Sequence, residues 1–172
     1  MEICMAQAQH IPGMIRLLGQ VGHVHYQIRP DIFRADALKY DEAALEQLLA
    51  DETRPIFIAW EQDQVLGYCF CVLKDYHSST VQTGRMELYI DDLCVEQTCR
   101  GQGIATALYR HTVSYAKAKG CSHISLNVWC GNDGAIAGIL LCDSIGISCD
   151  LLEFHQRGNY LCELCHSLQR FR

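Results

Sequence analysis

The stretch Val95-Glu-Gln-Thr-Cys-Arg-Gly-Gln-Gly-Ile-Ala105 decides how the rest of the chain is read. It joins an apolar run ending in Leu93-Cys-Val95 to a segment, from about Gly103 to Lys117, that is expected to be helical and closed by Gly120, since glycine is enriched just past helix ends. Gly101 and Gly103 let the backbone of the turn approach a ligand with no side chain in between. The first amides of a helix have no partner inside it, and together with the helix dipole they seat an anion. A pyrophosphate offers several oxygens to such a seat, so a phosphate-bearing cofactor is the expected occupant; the alternative is that the glycines only turn the chain. Two nucleotide motifs are excluded, because no Gly-Lys-Ser/Thr follows and the third glycine of the dinucleotide fingerprint is missing.

Working outward, Met86 to Val95 reads as the strand before the turn, and Ile124 to Trp129 as the strand after the helix. Upstream, Pro55 to Trp60 and Val65 to Leu73, separated by Glu61-Gln-Asp-Gln64, predict a hairpin. Glu2 to Ala6 is expected to be a short first strand. A helix with Ile11, Ile15, Leu18 and Val21 on one face follows, with Pro12 in its first turn. After a connection over Gly22 to Tyr40, Asp41 caps a second helix carrying Leu45, Leu48 and Leu49. Hairpin strands followed by a strand, helix and strand unit predict a mixed α/β sheet with one parallel crossover. Ligands in such sheets collect at the carboxyl ends of strands, which here is the turn after Val95.

The 172 residues, 49% of them hydrophobic, suit one domain with a buried core, and no repeat or linker divides them. A net charge of −6 argues against a protein that tracks nucleic-acid phosphates and is better matched to a cationic partner. No signal or transit peptide is legible, and apolar runs such as Ile136 to Cys142 are too short to span a bilayer. A cytoplasmic protein with no membrane partner is expected. The eleven cysteines show no disulfide framework. Cys162 and Cys165 form a lone CxxC without two further ligands, so no metal site is expected.

Arg100-x-x-Gly103-x-Ala105 after Leu-Cys-Val resembles motif A of the GNAT acetyltransferases, Gln/Arg-x-x-Gly-x-Gly/Ala, and the order of elements agrees over roughly Met1 to Asp133. The resemblance implies an acyl-CoA N-acyltransferase fold: a central, mostly antiparallel sheet with a parallel pair splayed at the cofactor site and flanked by helices. It also implies acetyl-CoA as co-substrate. The pyrophosphate would lie on the backbone of Arg100, Gly101, Gln102, Gly103, Ile104 and Ala105, the pantetheine arm would pair along Leu93, Cys94 and Val95, and Asn132 would touch the cofactor.

Transfer of an acetyl group to an amine needs a neutral nucleophile, a path for its proton and often an acid for the departing thiolate. Leu88-Tyr-Ile-Asp-Asp-Leu-Cys-Val95 resembles the corresponding strand of diamine (spermidine/spermine) acetyltransferases, where two adjacent acids hold the amine and conduct its proton. Asp91 and Asp92 are the candidates for that role, and strand alternation sends them to opposite faces. Tyr89 is expected to pack in the strand, and Glu87, His77 and His111 are given no role.

After Asn132 the chain departs from the family's Ala-x-x-Phe-Tyr-x-x-x-Gly-Phe. Counted from Ala135 the tyrosine position holds Ile139; counted back from Gly146, with three residues inserted, it holds Cys142. A thiol can donate a proton, so Cys142 is the catalytic candidate there, set against a plain core cysteine. Gly138 to Arg172 has no good match to the family's last strands.

The function expected is an N-acetyltransferase acting on a primary amine by direct attack, polyamine-like in the first reading. A protein N-terminus or lysine is the alternative acceptor, and a catalytically weak acyl-CoA binding module the alternative class. A homodimer is compatible with all of these.

Overall fold

The computed structural model of the chain describes residues 1–129, 132, 149–156 and 159–167. Ten regular elements follow in the order β1 (Glu2–Met5), α1 (Ile11–Ile28), α2 (Glu42–Leu49), β2 (Ile56–Glu61), β3 (Gln64–Asp75), β4 (Met86–Val95), α3 (Ile104–Ala118), β5 (His123–Trp129), β6 (Cys149–Gln156) and β7 (Asn159–Ser167). They belong to two compact units. One holds Met1–Phe70 with Asp92–His111, the other Cys71–Asp91 with Thr112–Arg172.

In the first unit β1 pairs antiparallel with β2, and β2 antiparallel with β3. The β2–β3 hairpin is tighter than the expected four-residue turn. Glu61 registers with Gln64, leaving Gln62 and Asp63 at φ of 49° and 60°. Both central residues at positive φ is the geometry that matches strand twist, here adopted without glycine at a cost of about 1 kcal/mol each.

α1 begins with Pro12 in its first turn and buries Ile11, Met14, Leu17 and Leu18, each worth about 1.5–3 kcal/mol when fully buried. That stripe meets Leu45 of α2, Ile56 and Ile58 of β2, Tyr68 and Phe70 of β3, and Cys94 of β4 in one core. Asp41 caps α2, its carboxylate accepting the Ala44 amide at 2.8 Å. The expected connection starting at Gly22 is corrected, since α1 continues to Ile28. Gly22 serves close approach instead: a Cβ there would lie 2.6 Å from the Ala37 carbonyl oxygen.

In the second unit β4 runs parallel to β5, registered from Glu87↔His123 to Ile90↔Leu126. β5 pairs antiparallel with β7, and β7 with β6, giving the order β4-β5-β7-β6. The β6–β7 hairpin lies within Gly138 to Arg172, where no match to closing strands was read, and its backbone supplies such a pair. Glu87 is buried and satisfied. It accepts Ser125 Oγ at 2.5 Å and faces Lys74 Nζ at 3.7 Å and Arg85 at 3.4 Å, so its charge is structural. Tyr89 is half-buried rather than core, with Lys74 Nζ 3.9 Å from its ring centre and Asn127 donating to its hydroxyl at 3.3 Å.

Candidate functional site

The turn after β4 is built by glycine at two points where the backbone enters the left-handed region, Gly101 at φ 77° and Gly103 at φ 80°. A Cβ at either would meet no atom within 4 Å, so the space over both is open to an approaching group. Gly103 is the residue from which α3 starts, its carbonyl accepting the Ala107 amide at 3.0 Å. The amides of the first turn precede that ladder and carry the positive end of the helix dipole. Gln102 is exposed, Ala105 half-buried, and Ile104 buried beneath them. These residues fit a pyrophosphate: backbone donors, an open approach and no carboxylate from Arg100 to Ala105.

Two devices hold the turn in place. Gly67 of β3 lies where a Cβ would come 2.8 Å from the Cys94 carbonyl oxygen, 3.1 Å from Leu108 Cδ1 and 3.4 Å from Ile104 Cγ2. Only a bare Cα lets strand and helix close there, so Gly67→Ala is expected to lower the melting temperature by about 3–10 °C. A thermal melt against the native chain checks this.

The second device is Glu96, buried at the end of β4. It is ion-paired with Arg16 of α1 and accepts Gln20 Nε2 at 2.8 Å, while Gln20 Oε1 accepts the Gln97 amide at 3.3 Å. Arg16 also donates to the Val65 carbonyl at 2.9 Å. Arg100 folds back to donate from Nε to the Val95 carbonyl at 3.2 Å.

Along β4 the alternation separates the two acids as expected. Asp92 shares its face with Cys94, which is in the core with Tyr68. The Tyr68 hydroxyl donates to Asp92 Oδ2 at 3.2 Å, and Cys94 Sγ lies 3.8 Å from the Leu17 carbonyl oxygen it donates to. Burial, then the neighbouring Asp92 charge, pushes the Cys94 thiol up to about 12, so it stays a neutral thiol at physiological pH. Burial also drives the Tyr68 phenol well above its ordinary value, with Asp92 and Cys94 adding to it. Asp91, by alternation, falls on the other face with Leu93 and Val95, and is half-buried.

The structure therefore brings Asp92, Cys94 and Tyr68 together, and strings Val95 and Arg100 to Ala105 along one turn. It does not bring Asp91 and Asp92 to one face. Asn132 is half-buried. Cys142, Ile139 and Gly146 lie outside the described residues. Tyr68, Gly67, Arg16, Gln20 and Glu96 were not picked out from the sequence. A tyrosine within an otherwise apolar hairpin strand was the one legible hint, because a buried hydroxyl needs a partner. Among the described residues no helix is long and apolar enough to cross a membrane.

The family description "Acetyltransferase (GNAT) family" matches residues 23–137. No curated protein matches the sequence. Among solved structures, a mutant form of the BH1408 protein of Bacillus halodurans is similar at 27% identity and a TM-score of 0.80, covering 91% of this chain and 99% of that one. The ribosomal-protein-alanine N-acetyltransferase of Brucella melitensis is similar at 19% identity and a TM-score of 0.70, covering 98% and 100%. A chain of the NatC complex, crystallised with Gag peptide and CoA, is similar at 18% identity and a TM-score of 0.64, covering 98% and 100%.

Proposed function

Because this chain belongs to the GNAT acetyltransferase family, we propose that it transfers the acetyl group of acetyl-coenzyme A to a primary amine by direct attack. The observation that carries the proposal is the glycine turn at the start of α3, open above Gly101 and Gly103 and aimed along a helix N-terminus. Bound there, acetyl-coenzyme A supplies an electrophilic thioester. The amides from Gly101 to Ala105 hold its pyrophosphate, and the edge along Leu93 to Val95 orients its pantetheine arm. Asp92 takes the proton of the attacking amine, and its charge favours a cationic acceptor in the approach.

For the acceptor, a polyamine-like amine is supported by the Asp92 carboxylate and the net charge of −6. A peptide amine is the second reading, supported by the ribosomal-protein alanine in the name of the Brucella enzyme and by the Gag peptide bound in the NatC complex, chains of which share this fold. Thiol release from acetyl-coenzyme A, followed with a panel of diamines, polyamines and short peptides, tests both. Turnover with one class assigns the acceptor. Tight coenzyme A binding without thiol release for any amine would replace the proposal by a non-catalytic acyl-CoA binding module.

A further inference from the structure

We propose that Tyr68 is the positioning residue for the proton-accepting Asp92, a role that rests on the reading of Asp92 given above. Tyr68 stands on β3, which is the neighbour of β2 in the sheet and not part of the cofactor turn. Its side chain is fully buried, edge-on to Phe70 with ring centres 4.7 Å apart and an interplanar angle of 87°, so the ring has one orientation. A phenol buried this deeply must place its hydrogen on an acceptor, and the acceptor is Asp92 Oδ2 at 3.2 Å.

That bond does two things. It fixes which way the carboxylate turns, since a rigid aromatic holds one of its oxygens. It also favours the charged carboxylate over the neutral acid, because the carboxylate is the better acceptor of a hydrogen bond. Tyr68 itself stays protonated and remains a donor throughout, its ionisation opposed first by burial and then by the charge of Asp92 beside it. Asp92 and Cys94 of β4 act on the Tyr68 phenol, and Arg100 of the turn and Arg16 of α1 act on the Cys94 thiol beside it.

The test uses the whole protein and the variant Tyr68→Phe, which keeps the ring and removes only the hydroxyl. Carbon-13 titration of the aspartate carboxyls, with the Asp92 signal assigned from Asp92→Asn, is expected to show the Asp92 midpoint moved to higher pH in Tyr68→Phe. A difluorotyrosine at position 68, a stronger donor of the same shape, is expected to move it the other way. In kinetics, Tyr68→Phe is expected to lower kcat about tenfold with coenzyme A affinity within about twofold. The double variant Tyr68→Phe/Asp92→Asn is expected to be no slower than Asp92→Asn alone.

An Asp92 midpoint unmoved in both position-68 variants would overturn the proposal, as would losses that multiply in the double variant. The titration is read on the free protein, so it answers for Tyr68 even if Asp92→Asn proves harmless to turnover. That last result would remove the catalytic reading of Asp92 while leaving the hydrogen bond tested separately. Should Tyr68→Phe fold poorly, the difluorotyrosine protein alone carries the decision.

Discussion

Gly103→Asp is expected to lower affinity for coenzyme A by at least about a hundredfold while leaving the chain folded. The residue sits at φ 80°, where an aspartate is strained by roughly 1 kcal/mol but is among the residues that tolerate this region best. Sterically the change is cheap, since a Cβ there meets no atom within 4 Å. What changes is the sign of the charge over the amides: a carboxylate occupies the seat and repels the pyrophosphate. Gly103→Ala, which brings bulk without charge, is expected to lose less. Calorimetric titration of both variants with coenzyme A, beside a thermal melt, checks this, and an aspartate variant that binds as tightly as the native chain would sink the cofactor assignment.

Asp92→Asn is expected to slow acetylation of a cationic amine by about 10²–10⁴-fold, the range for loss of a general base. Coenzyme A affinity should stay near native, because Asp92 lies on the core face of β4 with Cys94 and not in the turn. Asparagine keeps an oxygen for the Tyr68 hydroxyl and nearly the same volume, so the core around it survives. Asp91→Asn is expected to cost less than tenfold, since alternation sends that side chain to the other face of the strand. Single-turnover rates for the two variants discriminate; a loss confined to Asp91→Asn would transfer the role to the neighbour.

Elements written in local patterns were legible in the sequence. The bounds of β4 are Met86 and Val95 as read, Asp41 caps α2, and Gly120, at φ 73°, closes the helix that began beside Gly103. The strand-to-helix turn proposed to hold the cofactor was legible too as a turn, because Gly101 and Gly103, which build it, lie two positions apart in sequence. The misreadings share a cause. Gly22 reads as the start of a connection but admits the Ala37 carbonyl, and Gly67, to which the sequence reading gave no role, admits Cys94 and the start of α3. Both are dictated by distant partners. The same is true of Glu96, whose partners Arg16 and Gln20 are 80 and 76 positions away in sequence, and of Tyr68 with Asp92. The β6–β7 hairpin was missed because its segment follows the departure at Asn132 and lacks the family's markers.

The grip of Arg16 and Gln20 on Glu96 carries a consequence for how the cofactor arrives. A glycine-rich loop left to itself samples many conformations, and a ligand must then freeze it at an entropic penalty. Here the residue that opens the turn is anchored to a packed helix through a buried carboxylate, so most of that freezing is done when the chain folds. If the turn seats the phosphates as proposed, the seat is preorganised, and association is expected to be governed by diffusion and by the charge of the phosphates more than by a slow rearrangement of the loop. Discrimination between acyl-coenzyme A and its free product would then fall to the acyl end, since both would carry the same pyrophosphate to the same amides.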